Sequence, residues 1–236
     1  MRLCAAFTIL VVACTVLRGA QSPDPVIDAY VQAVGGLAAI ERLETREIRA
    51  HRGHDKVTYL WRKPNKVLLI DEKKRIGYDG GSGWVLSSKK RVSKLSKGEQ
   101  VPLEMDANPL RYAKLKQLYP EVTAGSPEKI EEREMDVLIA PNDRGATKFY
   151  FDRATHFLAR IEETGETSAY FKHTTEFDDY QEQDGVKLPF RIIHDSTEPG
   201  AKSLKIEISE IKNNVSLKPE IFNRPAATSV VLGGKR

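Results

Sequence analysis

Cysteine is the first thing this 236-residue chain lacks: Cys4 and Cys14 are its only two, and both fall near the start. Everything after them is therefore expected to hold no disulfide and no thiolate metal site, whatever the redox compartment. Histidine is scarce too. Of His51, His54, His156, His173 and His194 only the first two are close, and HRGHD spans a strand-to-turn junction with no third ligand in view. No metal and no cofactor are predicted from that pattern. Catalytic signatures are missing as well: there is no serine in a nucleophile elbow, no HExxH and no P-loop. DGGSG (79–83) lacks the lysine and the strand-to-helix setting of a phosphate loop, and it precedes SGWVL, so it reads as a hairpin turn. The neighbours Glu131-Glu132, Glu162-Glu163 and Asp178-Asp179 lie on strand-like segments, where adjacent side chains point to opposite faces and build no acid/base pair. The expectation is a protein that is not an enzyme.

Charge of one sign is missing in the same way. The net charge is +4, and removing residues 1–20, with Arg2 and Arg18 and no acid, leaves 37 − 2 = 35 basic against 33 acidic side chains, or +2. Nucleic-acid binding wants a concentrated basic face, so it is excluded as a role. The one basic run, KKRVSKLSK (89–97), is expected to be a solvated hairpin or loop, the alternative being a patch for anionic lipid headgroups.

Long hydrophobic runs occur only at the start. Arg2 precedes LCAAFTILVVACTVL (3–17), too short to span a bilayer comfortably, and residues 1–20 read as an export signal. Two processing routes are open: cleavage after Ala20, or acylation of Cys14, since Val11-Val12-Ala13-Cys14 resembles a bacterial lipobox. The second would tie the protein to a membrane. Residues 21–226 are expected to form one domain, and residues 227–236 a loose tail.

What is present is a change of period. SPDPVIDAYVQAVGG (22–36) predicts a helix capped by Asp24, with Ile27, Tyr30, Val31 and Val34 on one face, and LAAIERLE (37–44) a second short one. From Thr45 the period is two. KVTYLWRK, NKVLLIDE, RIGYDG and SGWVLSS follow one another with connections too short for crossovers, which makes an antiparallel meander. A helix over 109–119, opened by Asn108-Pro109 and stopped by Pro120, interrupts it before further strands resume. In DDYQEQDGVKLPFRIIH (178–194) Asp184-Gly185 marks a hairpin, yet Pro189 sits in the middle of the second strand, where it can donate no ladder bond. Pro189 is therefore expected at a bulge, or where its nitrogen faces no pairing strand.

Several local motifs together resemble one family: AVGGLAAIERLETR (33–46), GYDGGSGWVL (77–86), FYFDRATHFLARIE (149–162), DDYQEQDGVKLPFRI (178–192) and NNVSLKPEIFNRPA (213–226). They are similar to the exported bacterial proteins of the lipoprotein-carrier superfamily, the outer-membrane lipoprotein-sorting (LolA-like) proteins and their relatives. The resemblance implies a mainly β, α+β fold: an unclosed antiparallel barrel of about eleven strands, its concave face covered by the N-terminal helices and the mid-chain helix. It implies a periplasmic binding or carrier protein for lipid acyl chains or a lipoprotein, or else an envelope stress-sensing or protein–protein interaction module with the same fold. By strand phase the concave apolar groove is expected to be lined by Val57, Tyr59, Trp61, Val67, Leu69, Trp84, Phe149, Phe151 and Leu188. A one-residue slip would invert the phase of any one strand.

Overall fold

The computed structural model describes residues 22–108, 111–142, 145–164 and 171–226. Cys14, Ala20, Pro109 and the tail 227–236 lie outside them. A helix α1 (Asp24–Ala33) opens the described chain, with Pro25 in its first turn, and α2 (Leu37–Glu41) follows across Gly35-Gly36. Five meander strands come next: β1 (Thr45–Arg52), β2 (Asp55–Arg62), β3 (Lys66–Ile70), β4 (Lys74–Tyr78) and β5 (Gly83–Ser87). The basic run forms the turn into β6 (Val92–Lys94), a solvated hairpin as expected. The helices α3 (Lys97–Asp106) and α4 (Leu115–Leu118) then interrupt the sheet. It resumes with β7 (Thr123–Ala124), β8 (Glu128–Ile130), β9 (Arg133–Asn142), β10 (Gly145–Asp152), β11 (Leu158–Thr164), β12 (Lys172–Gln183), β13 (Val186–Ser196) and β14 (Leu204–Asn213), and a 3-10 turn (Pro219–Phe222) ends the fold.

One helix is displaced from its expected place. The mid-chain helix lies at α3, upstream of Asn108, while residues 111–119 hold only turns and the single helical turn α4. Local chemistry explains this. Ser96 caps α3, its hydroxyl accepting from the Glu99 amide while the Glu99 carboxylate accepts from the Ser96 amide, a reciprocal box that starts a helix despite Pro102 within it. Lys114, at φ −120° and ψ 37°, breaks helical geometry in the segment expected to be helical. Its apolar spacing still serves a purpose, since Tyr112, Leu115 and Tyr119 all turn toward the core.

All the strands belong to one sheet, in the order β6-β5-β4-β3-β2-β1-β14-β13-β12-β11-β10-β9-β7, with β8 paired to β9. Among the described residues every ladder is antiparallel and β6 does not meet β7, so the barrel is unclosed. The described residues form fourteen strands; setting aside β6, β7 and β8, of three residues or fewer, leaves eleven, in line with the expected number of about eleven.

The hairpin that raised a contradiction resolves it. Asp184 and Gly185 have φ of 53° and 81°, the paired positive values of a tight hairpin turn. From Val186 to Pro189 the strand β13 pairs with β12 alone; β14 joins only at Arg191–His194. The β12–β13 ladder also skips the Asp179–Phe190 pair, and Asp179 has φ of 54°. Pro189 thus stands beside a local irregularity on a half-paired stretch, where a missing N–H leaves no strand unsatisfied. Between β13 and β14 the ladder is confined to Arg191–His194; from there to the Asp184-Gly185 turn a wedge is left unpaired, bridged at the turn by the Asn213 side chain.

Candidate functional site

Register sorts the two faces of the sheet. On β2, β3 and β4, Trp61, Val67 and Tyr78 are cross-strand partners and face the helices; Leu60 and Leu68 face away, together with Trp84 of β5. Under the helices the apolar side chains form two adjoining clusters. In one, Phe149 and Phe151 of β10 meet Ile27 and Val31 of α1 and Leu115 of α4, with Tyr30 edge-on to Phe151 at 5.4 Å and Tyr119 against Phe149 at 5.5 Å. In the other, Trp61 and Val67 meet Val34, Ala39, Ile40 and Leu43 of the α1–α2 segment and Ala107 after α3. Tyr30, Ala113 and Tyr180 pack against both.

Eight of the nine side chains expected to line a groove share this helix-covered face: Val57, Tyr59, Trp61, Val67, Leu69, Phe149, Phe151 and Leu188. Trp61 and Val67, with Tyr59 and Leu188 against them, belong to one cluster and Phe149 and Phe151 to the other, while Val57 and Leu69 lie outside both. Trp84 is a correction. It lies on the opposite face in a cluster with Leu60, Leu68 and Phe222, and its indole N–H donates to the Phe222 carbonyl at 2.9 Å. The slip arises at Gly83, which starts β5 opposite Tyr78 and gives the helix-facing phase to a residue without a side chain. Gly77, across from Trp84, makes room for the ring: a Cβ there would fall 2.3 Å from it.

The centre of the covered face is closed off, with Val67 wholly buried and Trp61 only 3 % exposed. Its few polar groups are tied to the cover. The Trp61 N–H donates to the Ala107 carbonyl and the Tyr59 hydroxyl to the Asp106 carbonyl, both at 2.8 Å. Arg111 pairs with Asp106 at 2.6 Å and lies over the Tyr112 ring. Burial pushes the phenols of Tyr30, Tyr59 and Tyr180 above their ordinary value, and each stays neutral at physiological pH. Among the described residues no cluster of three or more His, Cys, Asp and Glu side chains is placed to hold a metal. His51 and His54 are exposed on the β1–β2 hairpin.

Sequence reasoning missed Arg46. It lies opposite Trp61 on β2 and Asn213 on β14, on the helix-covered face, and is 7 % exposed. The signal was available, because Arg46 is in phase with Ile48 and Ala50 along β1. The Asp106–Arg111 pair was not legible, since it depends on where α3 ends.

The larger cavity, about 410 Å³, is elsewhere, beside the start of α1, lined by Pro25, Val26, Ala124, Gly125 and Pro127 with Asp136 and Arg153. A smaller one of about 60 Å³ is lined by Ile130, Arg133, Arg160, Asp178 and Arg191.

No protein-family model and no curated protein matches this sequence. Solved structures do. A LolA superfamily protein from Nitrosomonas europaea aligns over 87 % of this chain and 99 % of its own, with a TM-score of 0.59 at 14 % identity. An outer membrane lipoprotein-sorting protein domain from Vibrio parahaemolyticus aligns over 86 % and 97 %, with a TM-score of 0.61 at 15 % identity. A DUF1329 family protein from Desulfovibrio piger aligns over 86 % and 98 %, with a TM-score of 0.60 at 12 % identity. This chain has the fold of these three proteins.

Proposed function

We propose that this chain is a periplasmic carrier that holds acyl chains of a lipid or lipoprotein on the helix-covered face of its sheet, entered by displacement of α1 and α2. The observation that carries this reading is how that face is closed. Its cover from Asp24 to Glu41 meets the strands through one backbone hydrogen bond, from the Lys187 N–H to the Val34 carbonyl, and is tied at its two ends by Lys63 to the Glu41 carbonyl and by the pairs Lys114–Glu41 and Lys116–Asp24; the contact between those ends is made by apolar side chains. Ile27, Val31, Val34 and Ile40 within it, with Leu43 just beyond, are buried. At roughly 2 kcal/mol for each such side chain, their burial is worth about 10 kcal/mol. An acyl chain of about fourteen methylenes at ~0.8 kcal/mol each is worth about 11 kcal/mol. The exchange of helix for acyl chain is close to balanced, as a carrier that must release its cargo requires. The names of the structural neighbours, LolA superfamily and lipoprotein-sorting, point the same way. The role is binding rather than catalysis, since Asp106 and Arg111 are committed to each other and the tyrosines are held neutral.

One observation favours a second reading. Trp61, Val67, Phe149 and Phe151 are already buried under the protein's own helices, as in an envelope interaction or sensing module that carries no lipid. Lipid mass spectrometry of an organic extract of the purified protein separates the two. A stoichiometric lipid, or saturable uptake of a fluorescent fatty acid, is expected of a carrier. A lipid-free protein that takes up nothing sinks that reading and leaves the module.

A further inference from the structure

We infer that Arg46 is the head-binding group of this face, and that the ligand is an amphiphile whose acidic head, a carboxylate or a phosphate, pairs with the Arg46 guanidinium. This rests on the carrier reading above and adds the chemistry of the ligand's polar end.

Arg46 is the odd charge of the interior. Its Nε donates to Asn213 Oδ1 at 2.7 Å, and its Nη2 is buried with no partner, the sole buried side-chain nitrogen or oxygen in that condition among the described residues. Among the described residues it has no ion-pair partner. The carboxylate whose charge it feels, Asp184, is hydrogen-bonded to Asn213 Nδ2 at 3.1 Å. The other arginine of the interior is handled differently, with Arg111 paired to Asp106 and laid over Tyr112. Desolvation pushes the Arg46 guanidinium down to about 10, so it stays cationic at neutral pH. A buried cation whose strongest partner is a neutral amide is a costly arrangement, and natural interiors supply an anion.

Its position suits a head rather than a chain. Arg46 stands between Trp61 and Asn213, toward the end of β14 that makes no ladder with β13. Asn213 Nδ2 also donates to the Gln183 carbonyl, at the hairpin turn against which Gly35 packs. The joint between α1 and α2 therefore packs on the same hairpin turn that Asn213, the partner of Arg46, reaches. Apolar side chains continue from there along the face through Trp61, Tyr59 and Leu188. A chain laid on them leaves its head at Arg46.

The neutral fluorophore N-phenyl-1-naphthylamine, bound to the purified protein, gives the test. It is displaced in turn by laurate, lauroyl lysophosphatidate, dodecanol and inorganic phosphate, on the parent and on Arg46→Gln. Either acidic amphiphile is expected to compete at about tenfold lower concentration than dodecanol, the size of one charge-assisted contact. Which acid wins tells carboxylate from phosphate. In Arg46→Gln that preference falls to about twofold while dodecanol is unchanged; should this variant misfold by circular dichroism, Arg46→Lys is expected to keep part of it. A preference that survives Arg46→Gln, or equal competition by dodecanol in the parent, overturns the assignment and leaves the carrier intact. Thermal stabilisation by inorganic phosphate alone, lost in Arg46→Gln, overturns it in favour of a free-anion site. If neither the fluorophore nor any of the chains binds, the carrier reading falls, and Arg46's role with it.

Discussion

The chain has two tryptophans, and the sheet places them back to back. Each is buried and each donates its indole N–H to a backbone carbonyl of the segment covering it: Trp61 to Ala107 after α3, Trp84 to Phe222 of the C-terminal turn. The covers differ. Behind Trp84, residues 214–222 are stitched to the strands: Asn214 exchanges bonds with Glu44 and Thr45, the Thr45 hydroxyl donates to the Val215 carbonyl, and Arg62 donates to the Leu217 carbonyl. Over Trp61, the helices rest on apolar contact and a few bonds at their ends. The same residue type thus lies under a cover stitched by hydrogen bonds on one side and under one held mainly by apolar contact on the other. Hydrogen bonds along a cover, rather than the area it buries, separate the two cases.

The sharpest way to break this comparison is to truncate both rings. Trp84→Ala is expected to cost about 3–5 kcal/mol in urea unfolding, because its stitched cover cannot collapse into the space. Trp61→Ala is expected to cost measurably less, since the helices above it can settle, and to raise binding of an apolar dye in the native state. Equal losses with no rise in dye binding would show that both covers are fixed.

A smaller effect is expected from Gly35→Ala. Gly35 has φ of 115°, and a Cβ there would lie 2.0 Å from the Gly185 carbonyl oxygen. The strain, about 1–3 kcal/mol, falls at the joint of the cover alone. Limited proteolysis should find residues 24–41 cut sooner, with the strands intact. Gly36→Ala, with φ of 85° but open space around it, is the milder control.

The smallest effect concerns pH. Burial holds His194 below the usual histidine value of 6.5, outweighing Asp106 and Asp195, which pull it up; Arg111 lowers it further and Thr175 hydrogen-bonds its ring. Below 6.5 the unfolded chain takes up a proton that the folded one resists, so stability declines as pH drops through that value. Above it the group contributes nothing. Urea midpoints at pH 5.5 and 7.5 should differ less in His194→Gln than in the parent; an undiminished difference would assign the slope to other groups.

Much of this was legible because strands announce their faces. Val57, Tyr59 and Trp61 fell where their alternation put them, and Asp184-Gly185 made the turn its φ values require. Phase failed at Trp84, where strand-starting Gly83 carries no side chain to mark the face. The helix expected at 109–119 failed differently: apolar spacing reported correctly that Tyr112, Leu115 and Tyr119 face inward, but it did not report backbone geometry. The capping box at Ser96 and Glu99 was readable and outweighed Pro102. The split of the groove into two clusters was beyond sequence, because it depends on how helices lie across strands distant in the chain.

The wedge beside Pro189 has a mechanical consequence. The stack from β6 to β14 and the stack from β13 to β7 share four ladder pairs, Arg191–Glu207 through His194–Leu204. Two stiff plates joined by so narrow a strip behave as a flexure: a load that pries the cover loose changes the angle between the plates before it deforms either one. Amide exchange should therefore run faster at Arg191–His194 and Leu204–Glu207 than along the fully paired β1–β2 ladder.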